Sequence, residues 1–371
     1  MKIVIATGRG FHLRHLAREL IRLGRDVTYM TYLPNFRIRH DRIPLECARS
    51  YFWRLQPWSG AALLRPISSL VRYGTEAMFT RADEAYARDL PPCDIFIGLS
   101  AITVRSAEAA RRKYRAKVIL ERGSRHVLSQ KELLAGSGAE PLSPHYIERE
   151  LAGYEVADYI ALPSTHAVES FIERGFDPAR LFRNPYGVEF GDFKSLPRPE
   201  GRLRLLYVGG WAYRKGCDAI AAMLAANPDF LLTHVGMRGD LEFPNLPNFV
   251  TLGHKSHAEL GSVYTRHHML LLPSREDGFG MVLVEALAAE LPIIGSSMTG
   301  APDLRDMIAE RDAVRIVPPA DATALKQAVR ETAAWIAAQP PDGRILRQED
   351  RANLSWTAYA KRYDTFLQSI A

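Results

Sequence analysis

Short apolar segments alternate with amphipathic helical segments in two separate series, and this pattern constrains the fold more than any other feature of the sequence. The first series begins with an apolar segment at residues 2–6 and a helical segment at residues 12–23, in which leucines recur at helical spacing. The second begins with an apolar segment at residues 203–208, after a stretch at residues 187–201 that contains prolines and glycines and has little periodicity. Alternating strands and helices are typical of parallel sheets with helices on both faces. The sequence therefore predicts two doubly wound, Rossmann-like α/β domains, at residues 1–190 and 191–354.

Length and composition agree with two globular domains. The chain has 371 residues, of which 47% are hydrophobic and 24% charged, and this mixture excludes disordered and fibrous proteins. No apolar run reaches the roughly 18 residues that span a membrane, and residues 1–6 are typical of a buried strand rather than a signal peptide. Cys47, Cys93 and Cys217 lie too far apart to indicate a disulfide framework or a metal knuckle. We therefore expect a protein of the reducing cytoplasm.

The positive charge is concentrated in the first half of the chain. Residues 1–190 carry 28 lysines and arginines against 21 acidic residues, whereas residues 191–371 carry 20 against 21. A segment at residues 36–73 fits an anionic membrane surface or an anionic substrate; surface arginines over an aromatic core are the alternative. No RNA-binding motif accompanies it, so nucleic acid is not an expected partner. The segment interleaves Arg37, Arg39, Arg42, Arg49, Arg54, Arg65 and Arg72 with Phe36, Tyr51, Phe52, Trp53 and Trp58.

The densest chemical signal lies at residues 273–288. An apolar strand ends there, a loop carries two carboxylates and two glycines, and a helix follows. Glycines let backbone N–H groups approach a ligand closely, and a helix N-terminus favours an anion. Glu285, in the first turns of the helix, is positioned to bind a ribose diol, whereas a capped loop with a solvated Glu285 is the alternative. The candidate residues are Glu276, Asp277, Gly278, Phe279, Gly280, Met281, Val282 and Glu285.

A second loop carries two adjacent cations. Residues 206–216 run from an apolar strand through Gly209 and Gly210 to Arg214 and Lys215, where a helix begins. Two such cations can neutralise a diphosphate and stabilise it as a leaving group through charge-assisted hydrogen bonds. We therefore expect Arg214 and Lys215 to bind a diphosphate, with a solvated basic turn as the alternative.

Two loops of the first domain add polar candidates. Residues 8–11 form a Gly-x-Gly loop without the third glycine of a dinucleotide fingerprint, and no acidic residue ends the second strand, so a dinucleotide site is not expected. Residues 121–126 form a polar cluster after an apolar strand, at the edge where such sheets bind ligands. His126 in that cluster is placed either to bind a sugar hydroxyl and transfer a proton, or to cap the loop.

Residues 277–292 closely resemble the signature of family 4 retaining glycosyltransferases of the two-domain GT-B fold, E-x7-E followed by E-A-x-A-x-x-x-P. Asp277 stands at the first acidic position and Glu285 at the second, and Ala286, Ala288 and Pro292 continue the pattern. The R-K-G ending of the second loop, the N-P-Y-G-V segment at residues 184–188 and the S-W pair at residues 355–356 with the final helix are also similar to the family. The resemblance covers most of the chain from about residue 150.

The resemblance implies two Rossmann-like domains that face a cleft, with residues 355–371 packing back on the first domain. It implies a retaining hexosyltransferase that moves a sugar from a UDP- or GDP-linked donor to a polysaccharide, glycolipid or other hydroxyl acceptor, of the bacterial cell-envelope type. Neither cofactor nor metal is implied, since the chain has no Asp-x-Asp pair and the histidines at 254–268 have no metal-ligand spacing. A cytoplasmic enzyme, peripheral on the membrane, is expected, and the oligomeric state stays open.

The resemblance also assigns roles to single residues. Asp277 would hold hydroxyls of the transferred sugar, Glu285 would bind the ribose, and Lys215 would stabilise the leaving diphosphate. A GT-B epimerase or phosphorylase, and a non-catalytic nucleotide-sugar-binding subunit, are the alternatives. Further donor contacts would be Gly10, Arg214, His254 and Lys255, and the acceptor would contact Phe11, His12, Arg122 and Ser124.

Overall fold

The computed structural model consists of two parallel β-sheets with helices packed on them. It describes residues 1–8, 11–55, 68–135, 141–193, 199, 201–340 and 344–370, apart from the side chains of residues 68–75, 192 and 257–258. All strand pairs within these ranges run parallel. The predicted fold class, two Rossmann-like α/β domains, is confirmed.

The first sheet has seven strands in the order β3-β2-β1-β4-β5-β6-β7. Because helices cover both of its faces, its inner strands are near-continuous apolar runs, and all five residues of β4 are buried. The strands are β1 (Lys2–Ala6), β2 (Asp26–Thr31), β3 (Ala48–Ser50), β4 (Ile95–Leu99), β5 (Lys117–Glu121), β6 (Tyr159–Leu162) and β7 (Leu181–Arg183). The helices are α1 (Leu13–Arg22), α2 (Asn35–His40), α3 (Ser68–Arg88), α4 (Val104–Tyr114), α5 (Val127–Leu134), α6 (Pro144–Val156) and α7 (Thr165–Ile172).

The second sheet has six strands in the order β10-β9-β8-β11-β12-β13. Its central strand β11 is again fully buried. The strands are β8 (Arg204–Val208), β9 (Leu231–Val235), β10 (Phe249–Thr251), β11 (Met269–Leu272), β12 (Ile293–Ser296) and β13 (Val314–Val317). The helices are α8 (Cys217–Ala225), α9 (His257–Tyr264), α10 (Met281–Ala288), α11 (Ala301–Met307), α12 (Ala322–Ala338) and α13 (Gln348–Asn353).

The basic segment at residues 36–73 folds as one edge of the first domain. β3 pairs with the end of β2, and Tyr51 is buried with its ring 4.9 Å from that of Tyr86. The aromatic-core alternative is therefore correct for Tyr51, whereas Phe36 and Trp53 are 67% and 81% exposed. Residues 56–67 of the segment, with Trp58 and Arg65, lie outside the described ranges, as does the side chain of Arg72. No helix in the described ranges has both the length and the apolar character needed to cross a bilayer.

The last helix, α14 (Trp356–Ile370), returns to the first domain and packs on α1. Arg25 donates to both carboxylate oxygens of Asp364 at 2.6 and 2.7 Å, and Asn184 donates to the Tyr359 carbonyl at 3.2 Å. The predicted return of the C-terminal helix is therefore observed. The domain boundary near residue 190 stays a prediction, since residues 194–198 and 200 lie outside the described ranges.

Candidate active site

Loops at the carboxyl ends of the first sheet line a cavity of about 970 Å³. They follow β1, β4 and β5, and in this sheet the strand order reverses between β1 and β4, the position where open α/β sheets bind ligands. Met281 and Glu285 of the second domain complete the wall. The cavity is thus built from both domains, and it includes the predicted acceptor residues Phe11 and His12.

The loop at residues 273–280, which follows β11, touches the first domain directly. A Cβ on Gly278 would lie 1.8 Å from the carbonyl oxygen of Gly123, so only glycine permits this approach of two backbones. Ser124 Oγ donates to Glu276 Oε1 at 2.5 Å, and Ser164 Oγ donates to the Gly278 carbonyl at 2.6 Å. The sequence predicted that Gly278 lets a ligand approach, whereas in the structure it lets the other domain approach.

The two predicted cations and the two predicted carboxylates lie in one cluster at this contact. Arg214 Nη1 donates to Glu276 Oε2 at 3.0 Å, and Lys215 forms an ion pair with Asp277. Burial opposes the ionisation of Asp277, but Lys215 and Arg214 outweigh it and hold the pKa of Asp277 below its ordinary value. Burial also opposes the charge of Arg214, but Glu276 and Asp277 raise its pKa. The four side chains form two cation–carboxylate pairs, beside the cavity wall at Ser124 rather than within it.

Arg275 positions this cluster, and the sequence reasoning missed it. Its guanidinium donates to both carboxylate oxygens of Asp218 at 2.6 and 2.7 Å and to the Tyr213 carbonyl at 2.7 Å. It also stacks 3.6 Å from the centroid of the Tyr213 ring. Arg275 thus fastens the turn that carries the two cations to the loop that carries the two carboxylates. The position of Arg275 next to Glu276 marks it as a possible site residue. Its partner Asp218, however, lies 57 residues earlier in the chain, so the sequence alone does not indicate the contact.

Glu285 reaches the cavity from α10. Its Oε2 accepts a hydrogen bond from the buried Tyr264 hydroxyl at 2.9 Å. Burial and the neighbouring carboxylate raise the pKa of Tyr264 well above its ordinary range, so the phenol stays a donor. Gly280 has a φ of 76° immediately before the helix, and Met281 opens the helix at the cavity wall. This end of the cavity therefore offers a fixed carboxylate beside a helix N-terminus.

Other predicted donor contacts lie away from the cavity wall. Phe279 is buried with its ring 5.4 Å from that of Tyr186, and its carbonyl accepts from the Gly300 N–H at 2.8 Å. His254 is exposed and Lys255 pairs with Glu259 at 3.4 Å, on the segment between β10 and α9. Val282 is half-buried in α10 and does not line the cavity, and Gly10 lies outside the described ranges.

His12 is the predicted acceptor residue with the most defined surroundings. Its Nε2 lies 2.8 Å from Oε2 of the buried Glu121, and its ring stacks on that of Tyr186 at 4.4 Å. Tyr359 donates to the other oxygen of Glu121 at 3.3 Å, which links α14 to the same site. The pairing fixes the orientation of an imidazole at the cavity wall. Glu121 was not predicted as a site residue, although it begins the polar cluster at residues 121–126 and is the last residue of β5.

His126 does not occupy the position that its predicted proton-transfer role requires. It is 3% exposed, caps α5 by accepting from the Leu128 N–H at 3.3 Å, and packs among Tyr154, Phe171 and Phe176. Burial, assisted by nearby arginines, lowers the pKa of His126 to about 4. The structure favours the loop-capping alternative, and the histidines that line the cavity are His12, His15 and His40.

Arg122 lines the cavity, but its donors are committed to the protein. It is 3% exposed and donates to Glu150 at 2.7 Å, to Gln130 at 2.8 Å and to the Tyr146 hydroxyl at 2.7 Å. Burial opposes its charge, yet Glu150 raises the pKa of Arg122 well above its ordinary range. Arg122 therefore stiffens the wall rather than offering free donors to an acceptor.

The described residues contain no group of three or more histidine, cysteine, aspartate or glutamate side chains arranged to hold a metal ion. His267 Nδ1 contacts the Val263 carbonyl at 2.7 Å, and His268 Nδ1 accepts from the Arg204 N–H at 3.0 Å. Both side chains are thus engaged by backbone groups. The predicted independence of metals stays a prediction.

The second domain is similar to known glycosyltransferase domains. Residues 202–334 match the family model described as glycosyl transferases group 1, a range that holds Arg214, Lys215, Glu276, Asp277 and Glu285. Glycogen synthase from Mycobacterium tuberculosis is 30% identical over 200 residues, which are 50% of this chain and 47% of that protein. The chain thus spans about half the length of the curated relatives that it matches first.

Solved structures of similar fold cover the whole chain. Sucrose-phosphate synthase from Thermosynechococcus elongatus has a TM-score of 0.71 at 21% identity, over 100% of this chain and 99% of that one. HepE from Anabaena, solved in complex with UDP and glucose, has a TM-score of 0.65 at 13% identity, over 100% of both chains. These likenesses show the two-domain GT-B fold, and together with the family match they support a GT-B glycosyltransferase.

Proposed function

We propose that the protein is a retaining glycosyltransferase of family 4 that moves a sugar from a nucleoside diphosphate sugar to a hydroxyl acceptor. The observation that carries this proposal is the cluster of Arg214, Lys215, Glu276 and Asp277 where the second domain meets the cavity of the first. A nucleoside diphosphate sugar needs cations to bind its diphosphate and carboxylates to bind its sugar hydroxyls. The cluster places both kinds of group next to each other.

The donor binds along the second domain. Arg214 and Lys215 face the diphosphate, and Glu285, held by Tyr264, binds the ribose diol. The N-terminus of α10 adds backbone N–H groups beside the phosphates. When the diphosphate binds, it competes with Asp277 for Lys215, which frees the Asp277 carboxylate for sugar hydroxyls. HepE, solved with UDP and glucose, supports a UDP-linked donor, and a GDP-linked donor is the other candidate.

Transfer joins an acceptor hydroxyl to the anomeric carbon. The new bond forms from the acceptor oxygen to that carbon as the bond from the carbon to the diphosphate oxygen breaks. The hydroxyl proton passes to the departing diphosphate on the same face, so the anomeric configuration is retained without a protein nucleophile. Lys215 and Arg214 stabilise the charge that develops on the leaving group, which is the part otherwise played by a metal ion. His12, oriented by Glu121, binds the acceptor hydroxyl.

A polysaccharide or glycolipid of the bacterial cell envelope is the acceptor class that the family resemblance favours, with the enzyme peripheral on the cytoplasmic side of the membrane. The exposed Phe36 and Trp53 beside arginines of the first domain support such an attachment. Co-sedimentation with neutral and anionic vesicles tests it, and equal sedimentation with both would contradict an electrostatic attachment.

The transfer proposal is tested with labelled UDP- and GDP-sugars. We expect one donor to be hydrolysed slowly and faster with a hydroxyl acceptor, and Lys215→Ala to abolish most of this turnover. Lys326→Ala is the matched control, since Lys326 is an exposed lysine on α12 that does not line the cavity. Binding of a nucleotide sugar without turnover would indicate the non-catalytic subunit, and conversion of the donor without release of a nucleotide would indicate an epimerase.

A further inference from the structure

Five arginines among the described residues line the cavity, and their partners divide them into two groups. Three are committed to carboxylates. Arg122 pairs with Glu150 at 2.7 Å, Arg18 pairs with Glu19 at 2.7 Å and with Glu189 at 3.1 Å, and Arg14 pairs with Asp41 at 3.1 Å. The remaining two are Arg37 and Arg42.

Within the described ranges, the guanidinium groups of Arg37 and Arg42 form neither an ion pair nor a hydrogen bond, and both side chains are exposed, although Arg37 still acts on Asp41 through space. Arg37 lies on α2, with its guanidinium 5.9 Å from the Phe36 ring. Arg42 follows the helix with a φ of 59°, a left-handed conformation that is rare for residues other than glycine. The buried Ile38 and Ile43 anchor this turn through a backbone hydrogen bond of 3.2 Å. The chain therefore holds Arg42 in a strained conformation at the cavity wall.

Among the described residues, arginines outnumber carboxylates at this end of the cavity, with Arg14, Arg18, Arg37 and Arg42 against Asp41 and Glu189. The acidic residues of the wall there, Asp41 and Glu189, are each neutralised by an arginine of the first group. Glu285 stands in the wall contributed by the second domain, where Tyr264 binds it. Two guanidinium groups are left, and a guanidinium fork matches the oxygens of a phosphate.

We infer that the acceptor carries a phosphate monoester, which Arg37 and Arg42 bind while its hydroxyl lies near His12. The inference rests on the proposed transfer reaction, because it assigns the acceptor of that reaction. A phosphate monoester carries about two negative charges at neutral pH, which two uncompensated arginines balance. Arg37 and Arg42 line the same cavity as His12 and Glu285, so the anion site and the proposed transfer site open into one space.

The test measures binding to the free protein by calorimetry. The probes are glycerol 3-phosphate and glucose 6-phosphate, each against the unphosphorylated compound, and vesicles of phosphatidylcholine with or without phosphatidic acid. The proteins are the wild type, Arg37→Gln/Arg42→Gln, and the control Arg39→Gln, which changes an exposed arginine of the same helix that does not line the cavity. UDP binding is measured for each protein as a readout of the donor site.

We expect a soluble phosphorylated probe to bind the wild type and the Arg39→Gln control, and to bind the double variant on the order of 100-fold more weakly. UDP should bind all three proteins equally. Binding of phosphatidic acid vesicles alone, lost in the double variant, would assign the phosphoryl group to a lipid. The inference is overturned if phosphorylated probes bind the double variant as well as the wild type, or bind neither. If UDP does not bind the wild type at all, the result would instead contradict the proposed function.

Discussion

Gly278→Ala should separate the two domains where the loop at residues 273–280 meets Gly123. The new Cβ would lie 1.8 Å from the Gly123 carbonyl oxygen, whereas ordinary contact begins near 3.4 Å, so the loops must part by about 1.5 Å. That movement breaks the hydrogen bond from Ser124 to Glu276 and the one from Ser164 to the Gly278 carbonyl. A bond to a carboxylate is worth roughly 1.5–3 kcal/mol and a neutral one about 1 kcal/mol, so the closed arrangement loses about 3 kcal/mol.

If transfer requires the closed arrangement, this loss lowers kcat/KM about 100-fold. Calorimetric binding of UDP should change by less than about threefold, because Arg214, Lys215 and Glu285, the side chains proposed to bind the nucleotide, lie in the second domain. Gly210→Ala is the control: Gly210 lies in the other glycine-containing loop, and a Cβ there meets no atom within 4 Å. Wild-type kcat/KM in Gly278→Ala, or an equal loss in Gly210→Ala, would refute the reasoning.

Three further predictions concern charge. Lys215→Ala should lower kcat by roughly 100- to 1,000-fold at saturating donor, by analogy with the loss of one donor to a developing oxyanion, while Lys326→Ala should not; a rate within threefold of wild type would exclude the assigned role. Donor turnover should persist in excess EDTA because Arg214 and Lys215 supply the positive charge, and complete loss that magnesium or manganese restores would contradict this. Because the pKa of His126 falls from 6.5 in the unfolded chain to about 4 in the folded one, the unfolded chain takes up the proton first as the pH falls. The free energy of unfolding should therefore decline between about pH 6.5 and pH 4, by about 2 kcal/mol at pH 5. Urea denaturation at pH 7 and pH 5 should show a decline that is about 2 kcal/mol smaller in His126→Phe than in the wild type. His166, His234 and His267, whose pKa values burial also lowers, contribute to the decline in both proteins. Equal declines in both proteins would contradict the assignment.

The sequence predicts the buried strands best. The first strand, predicted at residues 2–6, is Lys2–Ala6, and the one predicted at residues 203–208 is Arg204–Val208. A strand covered on both faces is a continuous apolar run, which is recognisable without knowledge of its neighbours. Helices α6 and α12 were not predicted, although Ser143 and Asp321 cap their first turns. A capping residue indicates where a helix begins, but its length is read from the regular recurrence of apolar residues, which is weaker in these two segments.

The candidate site was predictable as residue types but not as contacts. Arg214, Lys215, Glu276 and Asp277 were all named from their loops, yet nothing local indicates that each cation pairs with one carboxylate. Glu276 meets Ser124 across 152 residues of sequence, a contact that only the docking of two domains creates. His126 and Arg122 show the opposite error. Polar residues after a strand suggest a ligand site, but these two side chains are buried and bind other groups of the protein.

The chain passes between the domains near residue 188 and again near residue 355, and these two passages are bound side by side. Val188 and Ser355 form a parallel bridge, and the Val188 N–H donates to the Leu354 carbonyl at 2.8 Å. A Cβ on Gly187 would lie 2.5 Å from the Trp356 nitrogen, so the two passages have no room to slide. Bound together in this way, they would form the common axis of any rotation of the second domain relative to the first. In a swing about a fixed hinge, displacement grows with distance from the axis, so a rotation of a few degrees there widens the far rim of the cavity most.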